Sequence, residues 1–166
     1  MKGLGSVMKK WMVLPAGAVA MMLMSATPSL AQSGPFAGFA GTWSGTGTVS
    51  LSDGSNERIR CRATYNVGAS GAGLQQQLRC ASDSYKFELA SDVVARGSAI
   101  SGNWSETSRN VNGTLQGKVS PGEIEVFVEA AGFAANLTLR TTGNKQTVSI
   151  SSKGEIRGVS ITLTRS

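Results

Sequence analysis

Cys61 and Cys80 are the residues in this chain best equipped to do chemistry, and what they can do is bounded by what is missing around them. The chain has no histidine and no C-x-x-C spacing. A zinc site needs about four ligands, which two cysteines alone do not provide, and a thioredoxin-like redox pair lacks its motif. In an exported protein an even cysteine count reads as a disulfide. The stretch RIRCRATYNVGASGAGLQQQLRC puts Cys61 in one strand and Cys80 in the next, joined by a GASGAG turn, so the expected role of the pair is to staple a β-hairpin. For a closed loop of this size the chain-entropy account gives roughly 3 kcal/mol of stabilisation.

The missing histidine also prunes the enzyme classes. Ser-His-Asp, Cys-His and ordinary zinc hydrolase sites are excluded, which leaves carboxylate pairs or lysine bases. Asp53, Glu57, Asp83 and Asp92 fall near expected turns, and Glu123, Glu125 and Glu129 share a solvent-facing strand side. Nothing in the spacing makes these acids converge, so the chain reads as a protein that is not an enzyme and needs no metal or cofactor.

The elements that must position these residues begin after an export signal. Lys2, Lys9 and Lys10 precede the apolar run WMVLPAGAVAMMLM, and small residues stand at Ser29 and Ala31. Residues 1–31 therefore read as a bacterial secretory signal peptide cleaved near Ala31, with a periplasmic or secreted destination. The run is shorter than the roughly 20 apolar residues that span a bilayer, and no later segment is apolar enough to anchor the chain. The whole chain carries 16 Lys+Arg against 10 Asp+Glu, but three of those lysines lie in the signal, leaving a net charge of +3. So modest a charge argues against nucleic acid as a partner.

From there on, apolar and polar residues alternate with period two, and turn clusters such as SDGSN, GASGAG, SPG and TGNK recur about every ten residues. Strands are expected over 42–51, 57–67, 74–82, 84–90, 98–106, 110–119, 123–130, 133–141, 145–152 and 156–164. Links this short join only antiparallel neighbours. The expected fold is all-β: a single up-and-down antiparallel β-barrel of about 8–10 strands over residues 41–166, with a β-sandwich as the alternative, preceded by an extended lead at 32–40. Closure into a barrel removes the exposed edges that an open sheet would keep.

The alternation assigns faces. Ile59, Cys61, Ala63, Tyr65 and Val67 share the inward side of one strand, and Leu74, Gln76, Leu78 and Cys80 that of the next. Tyr65, Gln76, Tyr85 and Trp104 are the candidate interior ligand-binding residues. Buried polar groups either bond one another or line a cavity, and a small apolar molecule or lipid is the expected ligand. Arg58, Arg60, Arg62 and Arg79 project outward from two adjacent strands as a candidate patch for an anionic partner. The plainer reading is a solvated face with cross-strand acids such as Glu57 and Glu88.

Gly41-Thr42-Trp43, at the head of the first strand, resembles the opening G-x-W of the calycins, the superfamily of lipocalin-like small antiparallel barrels. In that superfamily the tryptophan closes one end of the barrel beneath a basic side chain from the last strand, and Arg165 stands in the matching place. An arginine over an indole face gains about 0.5–2 kcal/mol. The resemblance implies a ligand-holding barrel with Trp43 and Arg165 as its closure. The G-x-W followed by two cysteines about twenty residues apart is also similar to small secreted barrels that inhibit bacterial metalloproteases through an N-terminal segment. That gives a second expectation, a protein-interaction module of the cell envelope using the lead or the arginine face. A purely structural envelope protein is the third.

Overall fold

The computed structural model describes residues 33–166; the expected signal peptide lies outside the described residues. Ten strands follow one short 3-10 helix, η1 (Ala37–Phe39). They are β1 (Gly41–Leu51), β2 (Asn56–Val67), β3 (Gly73–Ala81), β4 (Lys86–Arg96), β5 (Ala99–Glu106), β6 (Val111–Ser120), β7 (Glu123–Ala130), β8 (Phe133–Thr142), β9 (Lys145–Ser152) and β10 (Ile156–Arg165). Each pairs antiparallel with the strands before and after it, and β1 pairs with β10, so the sheet closes into a single up-and-down barrel with no free edge. Closure settles the choice between barrel and sandwich.

Alternation sets the two faces of the wall. Inward positions carry the core, including Ile59, Cys61, Ala63, Tyr65, Leu74, Leu78 and Cys80. Outward positions are Thr, Ser, Arg, Gln, Asn, Lys and Glu along most strands, the reverse of the apolar band that a lipid-embedded barrel presents. Among the described residues no helix is long and apolar enough to cross a membrane. Cys61 and Cys80 are register partners on β2 and β3 and are joined as a disulfide, both facing inward.

Two details depart from the sequence reading. The fourth strand was expected from Ser84, but its pairing begins at Lys86 and continues to Arg96. Ser82 Oγ accepts the amides of Ser84 (3.1 Å) and Tyr85 (2.9 Å), holding both residues in a turn. The lead is not extended: the chain turns at Gly34–Phe36, forms η1, and buries Phe36 and Phe39 completely.

Candidate functional site

β1, β3, β5, β7 and β9 all start at one end of the barrel, and that end is plugged. Phe36 and Phe39 meet edge to face, ring centroids 6.4 Å apart, and Trp43 beside them retains no accessible surface. Trp43 Nε1 donates to the Phe39 carbonyl at 3.0 Å. The Arg165 guanidinium lies 4.2 Å from the Trp43 ring centroid and donates to the carbonyls of Gly38, at 3.0 Å, and Ala40. The amide of Phe36 donates to the Gly71 carbonyl, so the β2–β3 turn holds the lead in place. Gly41 enters β1 at φ +117, a conformation that strongly favours glycine, and a Cβ there would meet Arg165 Nη1 at 3.1 Å. The glycine, tryptophan and arginine thus work as one closure, as the sequence implied, and the lead belongs to it rather than forming a free arm.

The same end carries a hydrogen-bonded polar layer. Tyr65 Oη donates to Gln146 Oε1 at 2.9 Å, and Gln146 Nε2 donates to Thr141 Oγ1 at 3.0 Å. Burial pushes the Tyr65 phenol well up, so it stays a neutral donor. Gln76 Oε1 accepts from Ser91 Oγ at 3.0 Å. Tyr65, Gln76, Ser91 and Trp104 are successive register partners, so three of the four expected interior residues lie on a single row that winds around the wall. Gln146 was missed by the sequence reading, although it is in inward phase with Val148 and Ile150.

The other end, where the turns 52–55, 82–85, 107–110, 131–132 and 153–155 lie, has no plug among the described residues. Ten strands about 4.8 Å apart and tilted about 40° enclose a barrel roughly 20 Å across between backbones. A four-residue turn reaches only about 7 Å out and back, so the turns alone do not close the mouth. The inner wall registers this. Val49, Phe87, Leu89, Val111, Val128, Phe133 and Ile150 face inward but are only half-buried. An inward side chain that keeps accessible surface has room beside it, and these line the half of the barrel away from the plug.

Trp104 stands at the base of that half. Its ring meets Phe133 edge to face at 6.0 Å, and its Nε1 donates to the Thr114 carbonyl at 3.1 Å. Gly113 makes space for the indole, since a Cβ there would lie 2.6 Å from Trp104 Cε2 and Nε1. The rim is locked by side-chain acceptors. Asp53 Oδ1 accepts the Ser55 amide and hydroxyl, and both hold its carboxyl below the ordinary range. The inward Glu106 carboxylate accepts the amides of Glu88 (3.0 Å), Ser108 (3.2 Å) and Arg109 (2.7 Å). Burial works to raise its pKa, but these bonds more than offset that and leave it below the ordinary glutamate value.

Tyr85 is a correction. It was expected to point into the barrel, yet it is 43% exposed in the 82–85 turn, with the Arg109 guanidinium 5.9 Å from its ring centroid. It belongs to the rim.

Arg58, Arg60, Arg62 and Arg79 are all exposed on the outer face, as expected. Arg60, Arg62 and Arg79, with Ala81, Lys86 and Glu88, border a shallow groove of about 360 Å³, and Arg58 stands just beyond it on β2. Arg79 pairs with Glu88 at 3.6 Å, an exposed contact of small worth. Glu57 does not answer the arginines. It lies in inward phase, half-buried, and its Oε2 accepts from Ser82 Oγ at 2.7 Å. Among the described residues no group of three or more His, Cys, Asp or Glu could hold a metal ion.

No family model and no curated protein matches the chain. Among solved structures it is similar to Rv2717c from M. tuberculosis, with a TM-score of 0.63 at 13% sequence identity, over 80% of this chain and 93% of that one. Identity that low speaks to the barrel fold alone.

Proposed function

We propose that this protein is an exported, non-enzymatic, calycin-like cup that holds one small apolar or amphipathic molecule in the half of its barrel away from the plug. The observation that carries this reading is the half-buried state of the inward Phe87, Val128 and Phe133, set against a plug whose Phe36, Phe39 and Trp43 keep no accessible surface. A ligand occupying that half removes apolar surface from water on both sides. Each 100 Å² so buried contributes roughly 2.5 kcal/mol before the cost of association. The turns bonded through Asp53, Ser82 and Glu106 favour a preformed mouth, which lowers that cost. Export is supported by the disulfide, which persists in oxidising compartments. The absence of histidine supports a binding role over catalysis.

Titration with the uncharged fluorescent probe N-phenyl-1-naphthylamine tests the reading. The expected result is saturable one-to-one binding that is lost when Val128→Trp fills the open half and kept when an exposed outer residue such as Thr138 neighbour Ser149 becomes Ala. No binding by the folded wild-type barrel, or binding indifferent to Val128→Trp, would overturn it.

A further inference from the structure

The geometry points to a second binding site on the outside of the barrel: the groove across β2, β3 and β4 takes a linear acidic polysaccharide. Two register rows define it, Arg60–Ala81–Lys86 and Arg62–Arg79–Glu88, with Arg58 one step further along β2. Alternate residues of a strand are about 6.8 Å apart, so the three β2 arginines form a regular file of cations.

These cations are clustered, and they differ from the paired charges of β7 in having little to neutralise them. On β7, Glu123 is answered across the sheet by Arg140 at 2.8 Å, and Glu125 stands opposite Lys118. On β2, Arg58, Arg60 and Arg62 stand opposite Thr48, Thr46 and Ser44 of β1, and on its other side Arg62 faces Arg79 directly. Like charges placed directly opposite destabilise a sheet pair. Glu88 is the sole acid bordering the groove, against Arg60, Arg62, Arg79 and Lys86. A surface that sets arginines against one another with so little compensation is matched to an anion from outside.

The shape selects the anion. The small Ala81 leaves an apolar floor between Arg60 and Lys86, which suits the C–H face of a sugar ring while guanidinium groups grip its carboxylate or sulfate oxygens. Phe87, the aromatic residue bordering the groove, is the register partner of inward Cys80 and packs against the core, so its ring is not offered among the arginines to stack nucleic-acid bases. The wall of a barrel is convex, so a flat membrane would touch the file only along a line. The site is on the opposite side of the wall from the interior and stands whether or not that interior is occupied.

The test measures binding of the mature protein to alginate and dextran sulfate, with neutral dextran, polyphosphate and phosphatidylglycerol vesicles alongside. Arg60→Glu/Arg62→Glu is compared with Lys145→Glu/Lys153→Glu, which makes the same change in net charge elsewhere on the surface. The expected result is salt-sensitive binding to the acidic polysaccharides, weakened at least about tenfold by the arginine reversals and little changed by the lysine reversals. Arg62→Glu alone should raise the melting temperature, because it places an acid opposite Arg79; that outcome separates a binding role from a structural one. The proposal is overturned if both double variants lose binding equally, if vesicles or polyphosphate bind and the polysaccharides do not, if nothing binds, or if Arg62→Glu lowers the melting temperature.

Discussion

At the plugged end Phe36, Phe39, Trp43 and Ala63 retain no accessible surface, whereas Phe87, Val128 and Phe133, which face inward just as they do, stay half-buried toward the open end. The wall is the same ten strands at both ends. What differs among the described residues is what has been added: one end receives the N-terminal lead and the Arg165 side chain, and the other receives turns of two to four residues. A circumference of ten strands encloses more space than its own inward side chains fill, so packing density has to be supplied from outside the strands. Where the lead supplies it, the result is a core. Where nothing does, room remains beside apolar side chains, and that room is the basis of the proposed binding role.

The largest effect should come from breaking the filled end. Trp43→Ala is expected to cost about 3–5 kcal/mol in denaturant unfolding, since the indole is wholly buried and Arg165 loses its stacking partner. The matched change at the other end, Phe133→Ala, should cost less, about 1–3 kcal/mol, because the ring is only partly buried, while weakening apolar-probe binding. Equal costs at the two ends would erase the contrast.

Removing the disulfide as Cys61→Ala/Cys80→Ala should cost about 3 kcal/mol, seen as a lowered denaturation midpoint with an unchanged plug. Tyr65→Phe leaves Gln146 Oε1 buried without its donor and should cost about 1–3 kcal/mol, although no packing volume is lost.

The smallest effect is a pH dependence confined to the open rim. The Glu106 carboxyl titrates below its ordinary value, so its contribution is present above the unfolded pKa and fades as pH falls through the folded one. Protection of the Ser108 and Arg109 amides from hydrogen exchange, taken relative to the intrinsic exchange rate at each pH, should fall as the Glu106 carboxyl protonates below the ordinary glutamate range, and Glu106→Gln should flatten that dependence. The plugged end, held by carbonyls and rings, should show no such acid step.

Much of this was legible in the chain. Turn clusters about ten residues apart marked ten strands with boundaries close to those observed except at β4, which runs on to Arg96 where a stop at 90 was expected, and the period-two pattern placed Cys61, Tyr65, Gln76, Cys80 and Trp104 inward correctly. Tyr85 misled because the alternation Tyr85, Phe87, Leu89 runs on through a turn; the signal against it was Ser82, whose hydroxyl gathers the amides that follow. The lead was read as extended although Phe36 and Phe39 sit three apart, the spacing of one helical turn. Gln146 and Glu106 were overlooked because alternation was read from apolar residues, and each is a polar residue in inward phase at a strand end. Which end stays open could not be read from the pattern, because it depends on where the lead docks, a contact between Phe36 and Gly71 that no local spacing encodes.

Residues 33–166 hold two tryptophans, one on each side of the comparison: Trp43 in the plug and Trp104 against Phe133 in the open half. Contact quenching by a brominated long-chain alcohol, measured in Trp43→Phe and Trp104→Phe variants, reads each end separately. Saturable quenching of Trp104 with Trp43 left bright is the result this account predicts; equal quenching of the two, or quenching of neither, would contradict it.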